Sequence, residues 1–186
     1  DVFNEMSHHD AISWSAIITA CAQNGQSKEA LRLFHEMQHD GIMPDETTFL
    51  SILSACTHAG WVALGTYYFF SMYEKHNIPY RIEHYTCMVD LFGRAGSFEK
   101  AIEVIMKMPS SHYFLVWVAL LGACEKWGNS KLGRLAFDQV LQLDHTCVEA
   151  YVLMATIFAD SGMLEDADNV AAMRLKYAPF KEGKYV

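Results

Sequence analysis

The segment AISWSAIITACAQNGQSKEALRLFHEMQHDGIMPD, Ala11 to Asp45, contains two amphipathic helix patterns separated by a turn. Apolar residues in the first pattern recur at the i, i+3, i+4 and i+7 spacing of one helix face: Trp14, Ile17, Ile18 and Cys21. A break at Asn24-Gly25 separates it from a second apolar face, which ends before Gly41 and Pro44. Because a single hairpin of two helices cannot bury both faces, the segment predicts neighbours of the same kind.

Five copies of this pattern follow one another along the chain. An aromatic residue opens each copy at successive steps of 35, 36, 32 and 34 residues: Trp14, Phe49, Tyr85, Trp117 and Tyr151. A glycine occupies each turn: Gly25, Gly60, Gly96, Gly128 and Gly162. A small residue, which lets the second helix press against the first, follows each glycine five places later: Ala30, Gly65, Ala101, Gly133 and Ala167. This period predicts an all-α fold, a right-handed α-solenoid of stacked helical hairpins.

The composition argues against several classes of protein. A net charge of −8 is not expected of a chain that holds nucleic acid through a basic surface. No apolar run approaches the roughly 20 residues of a membrane-spanning helix, so we expect no membrane association. The five cysteines show no CxxC spacing. Three of them share one column of the repeat and are expected to be small, reduced core residues: Cys21, Cys56 and Cys124.

The segments also resemble a known family. SWSAIITACAQNGQSKEALRLFHEMQHDGIMPD is similar to a pentatricopeptide repeat of the plant organellar family. TTFLSILSACTHAG resembles the final long repeat of the subclass that alternates long and short repeats (the PLS subclass), and EHYTCMVDLFGRAGSFEKAIEVIMKMP its final short repeat. VWVALLGACEKWGNSKLGRLAFDQVLQLD and AYVLMATIFADSGMLEDADNV resemble the two tetratricopeptide-like extension motifs (E motifs) that follow. The resemblance extends from Asp1 to about Ala172.

The resemblance divides the chain into six segments. These are the tail of a preceding repeat (1–10), a full repeat (11–45), a long repeat (46–81), a short repeat (82–113), the first extension motif (114–147), and the second extension motif with a tail (148–186). Thr48 is expected to cap the first helix of the long repeat, and Pro109 to end the short repeat early. Because the chain starts at Asp1 within a repeat, we expect it to be part of a longer protein whose targeting peptide lies upstream.

The resemblance implies a function on RNA. Repeats of this kind read single-stranded RNA at one base per unit, without needing a basic surface. The implied role is that of a site-recognition factor for cytidine-to-uridine RNA editing in a mitochondrion or chloroplast. A deaminase or another editing-complex protein would be supplied in trans and positioned by the extension motifs. The chain carries no HxE and PCxxC deaminase signature, so we expect no enzyme activity, catalytic residue or cofactor.

The resemblance also implies which residues read the RNA. In this family, the residue after the opening aromatic and the last residue of the repeat discriminate the base, and an apolar residue near the start packs against it. In the first full repeat these are Ser15, Asp45 and Ile12. A hydroxyl and a carboxylate accept from the ring N–H and amino group of guanine, so guanine preference is implied. From the residues alone, Ser15 is equally a small polar helix residue and Asp45 a turn former after Pro44.

The other repeats are expected to read less sharply. Thr86 suits a purine, but its partner Tyr113 is an unusual one, and Asp10 is the terminal reader of the truncated preceding repeat. The remaining positions carry residues that do not discriminate bases: Leu50, Val118, Cys147 and Val152. Most of the affinity is therefore expected from repeats outside this chain.

Two other functions stay open. The chain is alternatively an acidic scaffold in an organellar ribonucleoprotein such as a ribosome, which Leu50, Tyr113 and the charge of −8 favour. HEMQH, His35 to His39, matches the HExxH pattern of zinc peptidases, but no third ligand follows and no metal site is expected.

Four aromatic residues of the extension motifs are expected in the core, unless one is exposed for protein docking: Trp117, Trp127, Tyr151 and Phe158.

Overall fold

The computed structural model describes residues 10–109 and 114–177. All regular secondary structure in these ranges is helical, which confirms the predicted all-α class. The ten helices of the described residues are α1 (Ala11–Gln23), α2 (Ser27–His39), α3 (Glu46–Ala59), α4 (Val62–Glu74), α5 (Ile82–Arg94), α6 (Phe98–Lys107), α7 (Phe114–Trp127), α8 (Ser130–Leu143), α9 (Val148–Asp160) and α10 (Leu164–Tyr177). Helix α6 ends two residues before Pro109, as the sequence predicts.

The chain forms two compact units, Asp1–Ala95 and Gly96–Val186, which divide in the turn between α5 and α6. In the first unit, α3 packs against α1, α2, α4 and α5. In the second unit, α9 packs against α7, α8 and α10. In each unit, the first helices of successive hairpins therefore pack side by side, and the second helix of each hairpin lies beside them. The predicted short repeat, 82–113, contributes α5 to the first unit and α6 to the second.

The aromatic column forms the core of both units. All five opening aromatics are buried: Trp14, Phe49, Tyr85, Trp117 and Tyr151. In the first unit, Phe34 of α2 packs edge to face on Phe49 of α3 and on Tyr68 of α4, with ring centroids 5.5 and 5.3 Å apart. Aromatic pairs of this geometry contribute roughly 0.5–1.5 kcal/mol beyond the area that they bury. The periodic aromatics thus join one hairpin to the next.

The small column allows close packing of helices, as the sequence predicts. A Cβ atom on Gly65 of α4 would lie 3.3 Å from Cβ of Cys56 and 2.5 Å from Cδ2 of Leu91 on α5. Gly133 of α8 has the same surroundings, with Cβ of Cys124 at 3.4 Å and Cδ1 of Ile157 at 3.0 Å. A larger residue at either position would push the second helix away from two first helices at once.

The cysteine column faces these small residues and is buried, which confirms the predicted core role of Cys21, Cys56 and Cys124. Burial raises the pKa of Cys56 and of Cys124 to about 12. The thiols are therefore protonated at neutral pH, and a protonated thiol is a poor nucleophile.

Candidate nucleic-acid interface

Two of the predicted base-reading residues lie together at the boundary between the first two hairpins. Ser15 lies on α1, and Asp45 immediately precedes α3. The hydroxyl Oγ of Ser15 is 3.4 Å from Oδ1 of Asp45. Packing of α1 against α3 brings the pair together across 30 residues of sequence. Ile12, one helical turn before Ser15, is 77% exposed beside them.

Asp45 is the N-cap of α3. Its backbone is extended, and Oδ1 accepts from the N–H of Thr48 at 2.8 Å. The same oxygen accepts from the hydroxyl Oγ1 of Thr48 at 2.7 Å. The sequence prediction that Thr48 caps this helix is therefore wrong, because Asp45 is the cap. Thr48 is the third helical residue, and its backbone N–H donates to the side chain of the cap.

Thr48 is the member of this site that sequence reasoning missed. Its side chain is fully buried, and its Oγ1 lies 3.2 Å from Oγ of Ser15 as well as 2.7 Å from the Asp45 carboxylate. The signal in the sequence is Asp-x-x-Thr before an apolar run, a spacing typical of a helix N-terminus. Ser15 is only 7% exposed, whereas Asp45 is exposed. The carboxylate is thus the part of the pair that offers most surface to a ligand.

A second hydroxyl pair lies between the same two helices. Oγ1 of Thr19 is 2.8 Å from Oγ of Ser51, and it also donates to the Ser15 carbonyl at 2.7 Å. Thr19 lies one helical turn after Ser15, and Ser51 one turn after Thr48, and neither is a hydrogen-bond partner of Asp45 among the described residues. The interface between α1 and α3 therefore contains polar contacts along more than one helical turn.

Asp10 has the same capping role one hairpin earlier. Its carboxylate accepts from the N–H of Ser13 at 2.8 Å, and this hydrogen bond lowers the pKa of Asp10. Asp10 is exposed, as a residue available to a base must be. The reading partner that the resemblance assigns to Asp10 would precede residue 1.

Thr86 lies half-buried on α5, where its hydroxyl donates to the carbonyl of Ile82 at 2.9 Å. With its proton engaged in its own helix, the hydroxyl offers only lone pairs outward. Its predicted partner Tyr113 lies outside the described residues.

The boundary between the second and third hairpins carries different chemistry. Arg81 precedes α5 in the place that Asp45 has before α3, and it forms an ion pair with Glu46, Nε to Oε2 at 2.7 Å. The N–H of Arg81 donates to Nδ1 of His84 at 3.1 Å. Nδ1 therefore lacks a proton, and Nε2 donates to the carbonyl of Glu46 at 3.4 Å. Burial lowers the pKa of His84, which favours this neutral imidazole.

Models of known families match two stretches of the chain. The PPR repeat family matches residues 9–58, and the PPR repeat matches residues 83–113. Residues 9–58 and 83–113 are therefore similar to pentatricopeptide repeats. Two Arabidopsis thaliana proteins named as pentatricopeptide repeat-containing, one chloroplastic and one mitochondrial, are 41% and 38% identical to it over 98% and 91% of its length. The chain spans 21% and 28% of the length of these two relatives. Together these matches support a plant pentatricopeptide repeat protein.

A solved structure shares the fold. The crystal structure of the pentatricopeptide repeat protein PPR10, in complex with an 18-nt psaJ RNA element, superposes with a TM-score of 0.78 at 14% identity. The match covers 96% of this chain and 27% of that chain. It supports the predicted solenoid fold of the repeats. Within the described ranges, no helix is both long enough and apolar enough to cross a membrane.

In the hairpins α7–α8 and α9–α10, apolar residues occupy two positions that the resemblance equates with base reading. Val118 of α7 is buried, and Val152 of α9 is 44% exposed. Among the four aromatics of these hairpins, Trp117, Tyr151 and Phe158 are buried, whereas Trp127 is 52% exposed. The indole of Trp127 packs over Gly96, 3.3 Å from the place of a Cβ atom there. Trp127 is thus the one of the four that presents a large apolar surface.

The two histidines of the HEMQH segment have other partners. Nε2 of His35 lies 2.8 Å from the hydroxyl of Tyr68 on α4, and Nδ1 of His39 lies 3.7 Å from Oδ1 of Asp40. No group of three side chains with metal-ligating atoms comes together in the ranges 10–109 and 114–177. The HExxH spacing here accompanies an ordinary second helix of a repeat.

Proposed function

We propose that this chain binds single-stranded RNA sequence-specifically in an organelle, and that Ser15 and Asp45 read one guanine. The observation that carries the proposal is the hydroxyl–carboxylate pair at 3.4 Å between two pentatricopeptide repeats, with exposed Ile12 beside it. The resemblance of the repeats assigns base reading to these three positions. The RNA complex of PPR10 supports RNA as the ligand of this fold.

The chemistry of the pair favours guanine. The Watson–Crick edge of guanine presents an N–H and an amino group side by side, and both are donors. A carboxylate accepts only, and a serine hydroxyl whose proton is used elsewhere also accepts only. Adenine presents one acceptor at the equivalent ring nitrogen, which would oppose a lone pair. Exposed Ile12 would pack against the face of the base.

We further propose that the RNA-bound chain specifies a site for cytidine-to-uridine editing, with a deaminase or editing-complex protein recruited in trans. The support is the order of the segments, in which long and short repeats precede two extension hairpins. The surface of the second unit around Trp127, 52% exposed, would receive the protein partner. The names of the relatives, one chloroplastic and one mitochondrial, support an organellar location.

Sequencing of organellar transcripts from a plant line that lacks the gene tests the editing role. We expect loss of conversion at one or a few cytidines, each with a guanine at the register of the first full repeat. The wild-type gene and an Arg81→Ala variant should restore conversion, because Arg81 lies at a boundary without a reading pair. An Asp45→Ala variant should not restore it.

A scaffold role in an organellar ribonucleoprotein is the second candidate. It is favoured by the net charge of −8 and by the boundary after the long repeat, where Leu50 and Arg81 replace a hydroxyl and a carboxylate. Intact editing in the same line, with changed ribosome profiles or transcript levels, would favour this role and contradict the editing proposal.

A further inference from the structure

We propose that Thr48, in the repeat that follows the readers, is a positioning residue for guanine recognition. The inference rests on the proposed RNA-reading function of Ser15 and Asp45. Thr48 cannot touch a base itself, because its side chain is fully buried beneath the pair. Its hydroxyl is in contact with both readers, 2.7 Å from the carboxylate of Asp45 and 3.2 Å from the hydroxyl of Ser15.

The first effect of Thr48 is on the carboxylate. All side-chain contacts of Asp45 within the described part of the chain use Oδ1, which accepts from the Thr48 N–H, the Thr48 hydroxyl and the Ser15 hydroxyl. Three donors on one oxygen fix the plane and the direction of the carboxylate. Oδ2 of this exposed side chain is left to accept from a ligand. Replacing Thr48 by valine would remove the O–H donor to Asp45 and keep the backbone N–H donor. The orientation of the carboxylate would then be held less firmly.

The second effect concerns the proton of Ser15. A hydroxyl has one proton, and that of Thr48 is engaged with the carboxylate at 2.7 Å. The Thr48 hydroxyl also lies 3.2 Å from Oγ of Ser15, with Thr48 in the donor position of this longer contact. The Ser15 hydroxyl donates to Oδ1 of Asp45 at 3.4 Å. The proton of Ser15 therefore points toward Asp45, and its remaining lone pair is left to accept from the ligand.

Both readers thus offer acceptors only, which matches guanine and opposes adenine. A valine at position 48 would remove one donor to Asp45 and the hydroxyl that lies against Ser15. The carboxylate could then turn away from the Ser15 proton, the Ser15 hydroxyl could donate outward, and the pair would tolerate a base with a ring acceptor. The third helical residue of α5 is His84, which contacts the Arg81 N–H and the Glu46 carbonyl. The second boundary therefore lacks this positioning arrangement.

The test compares matched variants of the full-length protein on a pool of RNAs with randomised sequence. The wild-type selection should contain a guanine column that the Ser15→Asn variant changes, which locates the register. We expect Thr48→Val to lower the preference for guanine over adenine in that column roughly tenfold, the order of effect of one lost hydrogen-bonded contact. Thr48→Ser keeps the hydroxyl and should retain the preference. Ser51→Ala removes a buried hydroxyl of the same helix that does not touch Asp45, and should also retain it.

The outcomes separate the inference from the function on which it rests. A wild-type protein that selects no base at any column overturns the proposed reading and the inference with it. A guanine column that Ser15→Asn changes but Thr48→Val leaves intact overturns the inference alone. An equal loss of guanine preference in Ser51→Ala would also overturn the inference, since weaker packing between α1 and α3 would then account for the effect. If Thr48→Val does not fold by circular dichroism, Thr48→Ala replaces it, and equal preference in the alanine and serine variants contradicts the inference.

Discussion

The two boundaries of the first unit satisfy the same structural demand with opposite chemistry. Asp45 and Arg81 both precede a first helix with an extended backbone, φ −101° and −111°. At the first boundary the cap accepts from the third helical residue, Thr48, and an anionic oxygen remains exposed. At the second boundary the third residue, His84, accepts from the N–H of Arg81, and the cation is paired with Glu46. Repetition of the fold therefore does not repeat the polar groups at its boundaries.

Replacing Asp45 by alanine should have the largest effect, because this side chain caps α3 and is also the proposed reader of the base. Loss of the cap should lower the free energy of unfolding by about 1 kcal/mol. Guanine preference at the register should fall roughly tenfold or more, as expected when one of two base contacts is lost. Denaturant unfolding and RNA selection measure the two effects. Asp45→Asn is the matched control, since an amide oxygen still caps the helix while its NH₂ group opposes guanine; unchanged selectivity in both variants would contradict the reading role.

Replacing Ser15 by asparagine should change selectivity with less effect on stability. The amide would offer a donor where the hydroxyl offers lone pairs, and preference at the register should move from guanine toward a pyrimidine. The equivalent change at the second boundary, Leu50→Asn, should create no guanine preference, because Arg81 lacks an acceptor there. Selection from randomised RNA measures both, and unchanged selectivity of Ser15→Asn in the full-length protein contradicts its assignment.

Acid should destabilise the second boundary. The buried imidazole of His84 has a pKa below the ordinary value of 6.5, so the unfolded chain binds more protons than the folded chain as pH falls below 6.5. The stability that this neutral imidazole contributes is complete above pH 6.5 and is lost as pH falls through its lower folded-state pKa. Denaturant unfolding at pH 7.5 and pH 5.0 measures the loss. A His84→Gln variant, which can still accept from the Arg81 N–H but does not titrate, should lose less stability over this interval; an equal loss would show that other groups carry it.

The smallest effect is expected for Arg81→Ala. Its ion pair with Glu46 is exposed, with the arginine side chain 63% accessible, and such pairs contribute about 0.2–1 kcal/mol. RNA selectivity at the first boundary should not change, because Arg81 does not contact the reading pair. Urea unfolding of this variant in low and high salt measures the contribution, and a loss as large as that of Asp45→Ala would remove the distinction between the boundaries.

Local sequence was sufficient for the helices and for their packing positions. Gly65 and Gly133 were predicted as close-approach positions from the repeat period alone, and both lie against a cysteine of the preceding helix. The prediction succeeds because the helical repeat and the repeat length place the same side chains between the same helices in every copy. The choice of Ser15, Asp45 and Ile12 came from family resemblance, and their role as readers remains a prediction.

The sequence alone therefore specifies which elements form and which faces they bury, since these depend on local periodicity. The tertiary structure decides how much of each polar side chain remains available. Packing of α3 against α1 buries Thr48 under two residues of the preceding repeat, leaves Ser15 only 7% exposed and directs one oxygen of Asp45 inward. Packing of α5 against α3 gives Arg81 a carboxylate partner instead. Such networks form only when distant residues meet, because a hydrogen bond depends on distance and direction that no periodic pattern contains.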